Sequence, residues 1–174
     1  MKKMLKAAAV LAAMVMALTL GACSDDDGGG SGGGGSKLPN GTIKAVYYNS
    51  GINVVVFYDD GKFVRAYTED EYSYHNDSIT DIEFEIGNQG TYIGDPTKDT
   101  GDDNKVLLTF TKLKEYVNGE YKYVTPEEYV KDERNGYSLE DFTDLEATIT
   151  GDGAYFDCTE GFAYISDYIR NKDY

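Results

Sequence analysis

The chain has little of what most catalytic centres and nucleic-acid interfaces need. Its 174 residues include one histidine, two cysteines and no tryptophan. A single histidine excludes most zinc sites and any histidine-dependent triad not built on His75, and two cysteines exclude a disulfide framework. Only 16 lysines and arginines oppose 31 aspartates and glutamates, which gives a formal net charge of -15. Phosphate backbones and anionic lipid surfaces repel such a chain, so nucleic-acid binding is excluded.

Residues 1–22 have the layout of a signal peptide. Met1 to Lys6 contains three lysines and no acidic residue, and Ala7 to Leu20 carries no charge. As a helix this apolar run is about 21 Å long, too short for a hydrocarbon core of ~30 Å. A basic start, a short apolar centre and small residues at the end are typical of a secretory signal.

Residues 20–23, Leu-Gly-Ala-Cys, resemble the lipobox of bacterial lipoproteins. The resemblance implies that Cys23 is lipidated and becomes the first mature residue, so that acyl chains such as palmitate, at ~0.8 kcal/mol per buried CH₂, hold the protein on a membrane. The alternative is an ordinary secreted protein with an incidental cysteine. Ser24 to Asp27 resembles the surface-export signal of some diderm lipoproteins, which implies display on the outer membrane and cell surface; the alternative is a solvated spacer.

Residues 23–36 are predicted to be a tether and residues 37–174 one domain. The tether is first acidic and then, from Gly28 to Ser36, only glycine and serine, which behaves as a flexible coil. All 16 tyrosines and all 7 phenylalanines lie in the domain, which is long enough to bury a core without disulfides. Because Cys23 is assigned to lipid, Cys158 has no partner, and we interpret it as a small buried residue rather than a nucleophile.

Short alternating runs separated by turn residues predict an all-β fold, a small up-and-down antiparallel barrel with two short helices. The sequence Asp59 to Lys62 predicts a hairpin, and Gly87 to Gly90 is interpreted as another turn. The helices are expected to begin after the caps Thr125 and Ser138 and to pack across an open end or edge of the sheet. The predicted strands cover residues 42–48, 53–58, 63–68, 82–86, 91–93, 105–113, 121–124, 147–150, 154–158 and 162–165.

Runs at 41–45, at 56–63, at 90–96 together with 106–109, and at 149–153 resemble the small lipocalin-like domains found in bacterial lipoproteins of unknown function. They include Gly-Thr-Ile-Lys-Ala from Gly41 and the Gly-Asp-Gly turn from Gly151. The resemblance implies a barrel with a ligand site at its open end. Lipocalins place a tryptophan in the first strand and an arginine on the last. Here Ile43 stands at the first position, and Arg170, the only late arginine, follows the predicted last strand.

Composition and resemblance together favour a non-enzymatic binding module, without cofactor or metal, for a small apolar or aromatic ligand. A surface module that contacts proteins or glycans, with a solid core and an exposed tyrosine patch, is the alternative, and a hydrolase is a third hypothesis. The residues predicted to line the ligand site at the open end are Tyr58, Tyr67, Phe84, Tyr92 and Phe110.

The candidates for catalysis and metal binding are few. His75 lies in a polar loop beside Asp77, where we interpret it as a surface residue. Acidic pairs such as Asp59–Asp60 lie in turns, where water screens their charges, or at helix starts, where the helix dipole stabilises them. Their presence therefore needs no catalytic role. The stretch from Asp95 to Asn104 is the one hint of calcium; it departs from the EF-hand pattern, and we interpret it as a solvated loop, with a weak cation site as the alternative.

Overall fold

The computed structural model describes residues 37–49, 53–68, 79 and 82–172. The predicted signal peptide, the tether, Cys23 and His75 lie outside these residues and stay predictions. Within the described ranges, no helix combines the length and the apolar character needed to cross a bilayer.

The described part of the chain forms nine strands, eight of which close into a barrel. Each ring strand pairs antiparallel with the next, in the order β1–β2–β3–β4–β5–β7–β8–β9, and β9 returns to β1. β6 extends a hairpin from the second half of β5, outside the ring. This architecture confirms the predicted up-and-down barrel. The strands are β1 Ile43–Asn49, β2 Asn53–Tyr58, β3 Lys62–Tyr67, β4 Glu85–Ile93, β5 Val106–Val117, β6 Glu120–Val124, β7 Leu145–Thr150, β8 Tyr155–Cys158 and β9 Ile165–Arg170.

The two helices expected after the caps Thr125 and Ser138, each of about two turns, are shorter in the structure. Helix α1 spans Pro126–Tyr129, and two 3₁₀ turns span Glu133–Asn135 and Leu139–Phe142. The predicted capping box is present, since the Glu128 amide donates to the Thr125 hydroxyl and the Thr125 amide donates to the Glu128 carboxylate. Segments of one turn cannot stand alone, so packing against the barrel must hold them.

The turn predicted at residues 87–90 is wrong, because these residues continue β4 through a bulge at Gln89 and Gly90. A Cβ on Gly90 would lie 2.6 Å from the Phe63 ring, and one on Gly87 would lie 2.8 Å from the Arg65 carbonyl. Both glycines therefore allow the close approach of neighbouring strands in a tight barrel instead of reversing the chain.

The last strand was also predicted at the wrong place. Residues 162–165 mostly belong to a loop, which Tyr164 bends with a positive φ of 35°, and β9 runs on to Arg170. Phe162 supplied the apolar signal, but its ring packs 4.8 Å from that of Phe142, between centroids, outside any strand. Arg170 consequently lies on the last strand, opposite Tyr47 of β1.

Two hydrophobic cores pack on the two faces of the first strands. The inner core collects side chains from all eight ring strands, and its largest buried members include Tyr47, Phe57, Phe63 and Phe156. The outer core covers the other face of β1 to β4 and is completed by residues outside the strands, namely Leu38, Ile79, Ile82 and Phe84. Strands β1 and β2 are therefore buried on both faces, which explains their nearly continuous apolar sequence.

Candidate functional site

One end of the barrel is closed by the loop between β4 and β5. The hydroxyl of Tyr47 donates to the Pro96 carbonyl at 2.6 Å, and Nη1 of Arg170 donates to the Thr97 carbonyl at 3.1 Å. Burial raises the pKa of Tyr47 to about 12, although the nearby Arg170 acts in the opposite direction. A tyrosine from the first strand and an arginine from the last strand thus secure this loop across the closed end.

The acidic residues of that loop organise its backbone. The Asp95 carboxylate accepts a hydrogen bond from the Thr97 hydroxyl at 2.8 Å and pairs with Lys44 and Lys98. Burial alone would raise the pKa of Asp95, but the hydrogen bonds from Thr97 and Lys98 outweigh it and lower the pKa. The amide of Asn104 donates to three carbonyls of the loop. No set of three acidic, histidine or cysteine side chains among the described residues could hold a metal ion.

The opposite end is partly covered by an aromatic cap, which consists of Tyr129, Tyr137, Phe142 and Phe162. Their rings contact one another at centroid distances of 4.8 to 6.2 Å. Phe162 also meets the inner core through Phe110, 5.6 Å away. The two predicted helical segments supply two of the four rings, Tyr129 and Phe142, so they do pack across an end of the barrel. Among the strands, helix α1 and the second 3₁₀ turn contact β5.

The rest of this end forms the mouth cleft, a cavity of about 250 Å³ between the ends of β2, β3 and β4 and the β5–β6 hairpin. It opens to solvent on one side and mixes cationic, acidic, amide and aromatic side chains. The described residues that line it are Asn53, Arg65, Ala66, Tyr67, Glu85, Gly87, Asn88, Lys114 and Tyr121.

Arg65 reaches across the mouth of the barrel. Its Nη1 donates to the Ala163 carbonyl at 3.1 Å, and its guanidinium also hydrogen-bonds the hydroxyl of Tyr168 on β9. Because β1 and β2 separate β3 from β9 in the ring, these bonds cross the interior instead of joining neighbouring strands. The guanidinium therefore forms the floor of the mouth cleft, directly above the inner core.

Lys114 organises the wall formed by the hairpin. Its ammonium is paired with the Glu85 carboxylate and lies 4.7 Å from the ring centroid of Tyr121 and 5.9 Å from that of Tyr67. Its backbone amide donates to the Asn88 side chain at 3.0 Å. These contacts hold the hairpin against the start of β4, and only 15% of the Lys114 side chain is exposed.

The five aromatic residues predicted to line a ligand site do not meet around one cavity. Tyr58 and Phe84 lie in the outer core. Tyr92 and Phe110 lie in the inner core, where the Tyr92 hydroxyl donates to the Tyr58 carbonyl at 2.8 Å. Only Tyr67 borders the mouth cleft. The alternation of side chains along each strand accounts for this division, since successive residues of one strand face opposite sides of the sheet.

The inner core explains why the cavity lies at the mouth and not deeper. The Phe57 ring packs against Tyr47, Phe63, Tyr92 and Phe156 at centroid distances of 5.0 to 6.2 Å. Large rings at these separations fill the centre of a narrow barrel with side chains. Any ligand that enters from the mouth therefore meets Arg65 at the floor of the cleft, with the packed rings of the inner core beneath it.

Of the cleft residues that were not predicted to line the site, Arg65 has a signal in the sequence. Phe63, Arg65 and Tyr67 alternate along β3, so a strand that carries Phe63 inward must also turn Arg65 inward. Lys114 and Glu85 carry no such signal, because they meet only when the hairpin folds back against β4. Cys158, by contrast, is confirmed as a small buried residue of the inner core, and burial raises the pKa of its thiol to about 11.

Comparisons of the chain with protein-family models, with curated proteins and with solved structures find no match. The function is therefore inferred from the chemistry of the mouth cleft and from the sequence features that precede the barrel.

Proposed function

We propose that this protein is a lipid-anchored, non-enzymatic binding protein of a bacterial envelope, and that its mouth cleft holds a small ligand. The single observation that carries the proposal is the asymmetry of the barrel. One end is sealed by a hydrogen-bonded loop, whereas the other leaves a cavity of about 250 Å³. Concave, partly apolar cavities with a few convergent polar groups, at the mouths of barrels, are where small molecules bind.

The polar groups of the cleft support binding. Arg65 supplies hydrogen-bond donors, the amides of Asn53 and Asn88 supply donors and acceptors, and Tyr67 and Tyr121 supply flat apolar walls. This composition differs from the lining of five aromatic residues that the sequence predicted. It suits a ligand that has both a polar group and a ring.

The described carboxylates support a non-enzymatic role. A general acid needs a carboxyl group whose pKa is raised by burial, but each carboxyl with a shifted pKa in the described ranges has it lowered. A hydrogen bond from Lys62 lowers the pKa of Asp60, and one from Arg134 lowers that of Asp132 to about 2. Groups held ionised in this way act as structural partners and not as proton donors.

Native mass spectrometry of the full-length protein, purified in detergent from its host, tests the ligand. We expect a small molecule to co-purify with the wild-type chain. Asn53→Trp should fill the cleft and displace it, whereas Thr148→Trp, on the exposed outer face of β7, should retain it. Equal occupancy in the two variants would remove the cleft as the binding site.

The anchor is tested separately. Cys23→Ala should abolish incorporation of labelled palmitate and release the protein from membranes, because the thioether to lipid can no longer form. Protease treatment of intact cells then distinguishes surface display from a periplasmic location. Unchanged membrane retention of the Cys23 variant would contradict a lipoprotein.

A surface module that contacts glycans or proteins is a second candidate, favoured by one feature of the β5–β6 hairpin. Tyr116 and Tyr121 pack their rings 5.0 Å apart there, and both are more than 60% exposed. Tyr116 does not line the mouth cleft, so Tyr116→Ala separates the two functions. Loss of binding to envelope polysaccharide, with cleft occupancy unchanged, would favour the second candidate.

A further inference from the structure

We infer that the mouth cleft selects a small organic monocarboxylate with one ring, whose carboxylate binds Arg65. The inference rests on the proposed function of the cleft and names the class of its ligand. It follows from the state of Arg65, from the charge balance of the cleft and from the size and walls of the cavity.

Arg65 has hydrogen-bonding capacity to spare. A guanidinium carries five N–H donors, and the described protein partners are the Ala163 carbonyl and the Tyr168 hydroxyl. No carboxylate in the described ranges lies within ion-pair distance of Arg65. Arginine is suited to planar, two-point recognition of a carboxylate, and Arg65 lines the cavity.

The charge of the cleft matches a monoanion. Among the residues that the structure describes, its charged lining consists of Arg65, Lys114 and Glu85, which together carry one excess positive charge. The chain as a whole carries a formal charge of -15, so this local excess runs against its general character. At physiological salt, fields decay over ~8 Å, and the groups that line the cavity therefore dominate at the binding position. One ligand carboxylate neutralises this excess positive charge, whereas a dianion would leave the occupied cleft with a net negative charge.

Size and shape limit the rest of the ligand. A volume of about 250 Å³ corresponds to about eight waters at ~30 Å³ each, which suits a one-ring acid and is too small to bury a long acyl chain. Tyr67 and Tyr121 offer aromatic surface on the same side as Lys114. A ring placed against these walls lies in the cavity that Arg65 also lines.

Glu85 provides a direct test of the charge of the ligand. The Glu85 carboxylate forms an ion pair with the Lys114 ammonium. Glu85 therefore competes with any ligand carboxylate for that cation. Replacing Glu85 with glutamine keeps the shape of the side chain, removes one negative charge and leaves Lys114 free to join Arg65. A carboxylate ligand must then bind more tightly, whereas a neutral ligand of the same shape gains nothing.

The test compares benzoate with benzamide on the full-length protein in detergent, by ligand-observed NMR titration, and repeats it with phenylacetate and phenylacetamide. We expect the wild-type protein to bind the acids at least tenfold more tightly than the amides, the usual range for a hydrogen bond to a charged group. Glu85→Gln should strengthen acid binding severalfold. Arg65→Gln should remove the preference, and Arg65→Lys should retain part of it.

The control is Lys105→Gln, which removes an exposed cation paired with Glu146 and should leave the preference unchanged. Thermal unfolding checks that each variant folds; if Arg65→Gln does not, Arg65→Lys and Glu85→Gln carry the test. Equal binding of acids and amides, or weaker acid binding by Glu85→Gln, would overturn the inference. If a neutral molecule co-purifies and Asn53→Trp displaces it, the proposed function survives without the carboxylate.

Discussion

Replacing Tyr47 with phenylalanine should loosen the closed end of the barrel and leave its core intact. The Tyr47 side chain is fully buried, and its hydroxyl lies 2.6 Å from the Pro96 carbonyl and 3.0 Å from the Gly153 carbonyl. One O–H donates one proton, so these carbonyls share it. Its removal leaves a buried acceptor without a donor, which costs about 1–3 kcal/mol, while the ring contacts with Phe57 and Phe156 remain.

Urea unfolding at pH 7, followed by circular dichroism, measures this cost. The midpoint of Tyr47→Phe should fall by on the order of 1 M with an unchanged slope. Tyr116→Phe is the matched control, because Tyr116 is 63% exposed and should change stability by less than about 0.5 kcal/mol. Equal midpoints for the two variants would refute the idea that this hydroxyl secures the loop.

The same variant predicts a pH dependence with a definite sign. Folding raises the pKa of Tyr47 to about 12, against about 10 in the unfolded chain. As the pH rises, the hydroxyl of Tyr47 therefore loses its proton first in the unfolded state. The contribution of the protonated hydroxyl to the free energy of unfolding is complete below pH ~10, and it is lost at up to ~1.4 kcal/mol per pH unit as the pH rises to ~12. The free energies of unfolding of wild type and Tyr47→Phe should therefore converge in this window. Tyr58 and Tyr92 titrate in both proteins, so their contribution cancels in the comparison. A constant difference would contradict the reasoning.

Two further predictions concern the closed end and the inner core. Gly153→Ala should destabilise the protein by more than Gly119→Ala in a thermal melt: both glycines have positive φ, but a Cβ at Gly153 would overlap the Thr97 carbonyl, whereas one at Gly119 meets nothing within 4 Å. Equal losses would mean that the loop is not packed there. At pH 8 the Cys158 thiol should resist iodoacetamide until urea unfolds the chain, because burial raises its pKa to about 11; peptide mapping would reveal native labelling, the contrary result.

Local chemistry in the sequence predicts most of the strands. The bounds of β2 match the predicted residues 53–58, and the Asp-Asp-Gly turn after it is present with Gly61 at φ 82°. The capping residues Thr125 and Ser138 begin their helical segments. These features depend on interactions between residues a few positions apart, and such interactions can be read without knowledge of the fold.

The errors have a common cause. Gly87 and Gly90 indicate a turn only if the chain is considered alone, but in the barrel they make room for Arg65 and Phe63 of the neighbouring strand. Phe162 indicates a strand until its ring is found in the aromatic cap. In each case a contact between distant segments outweighs the local preference.

The sequence by itself therefore determined the fold class, the hairpins and the caps, because alternation and turn chemistry act over short distances. Only the tertiary structure decided which face of each strand turns inward, that Tyr47 and Arg170 secure the closed end, and that Arg65, Glu85 and Lys114 share one cleft. Closing eight strands into a ring brings together residues far apart in the chain, and a second core outside β1 to β4 consumes aromatic side chains that the sequence pattern assigned to a ligand. The physical reason is that burial on either face leaves the same apolar signal in the sequence.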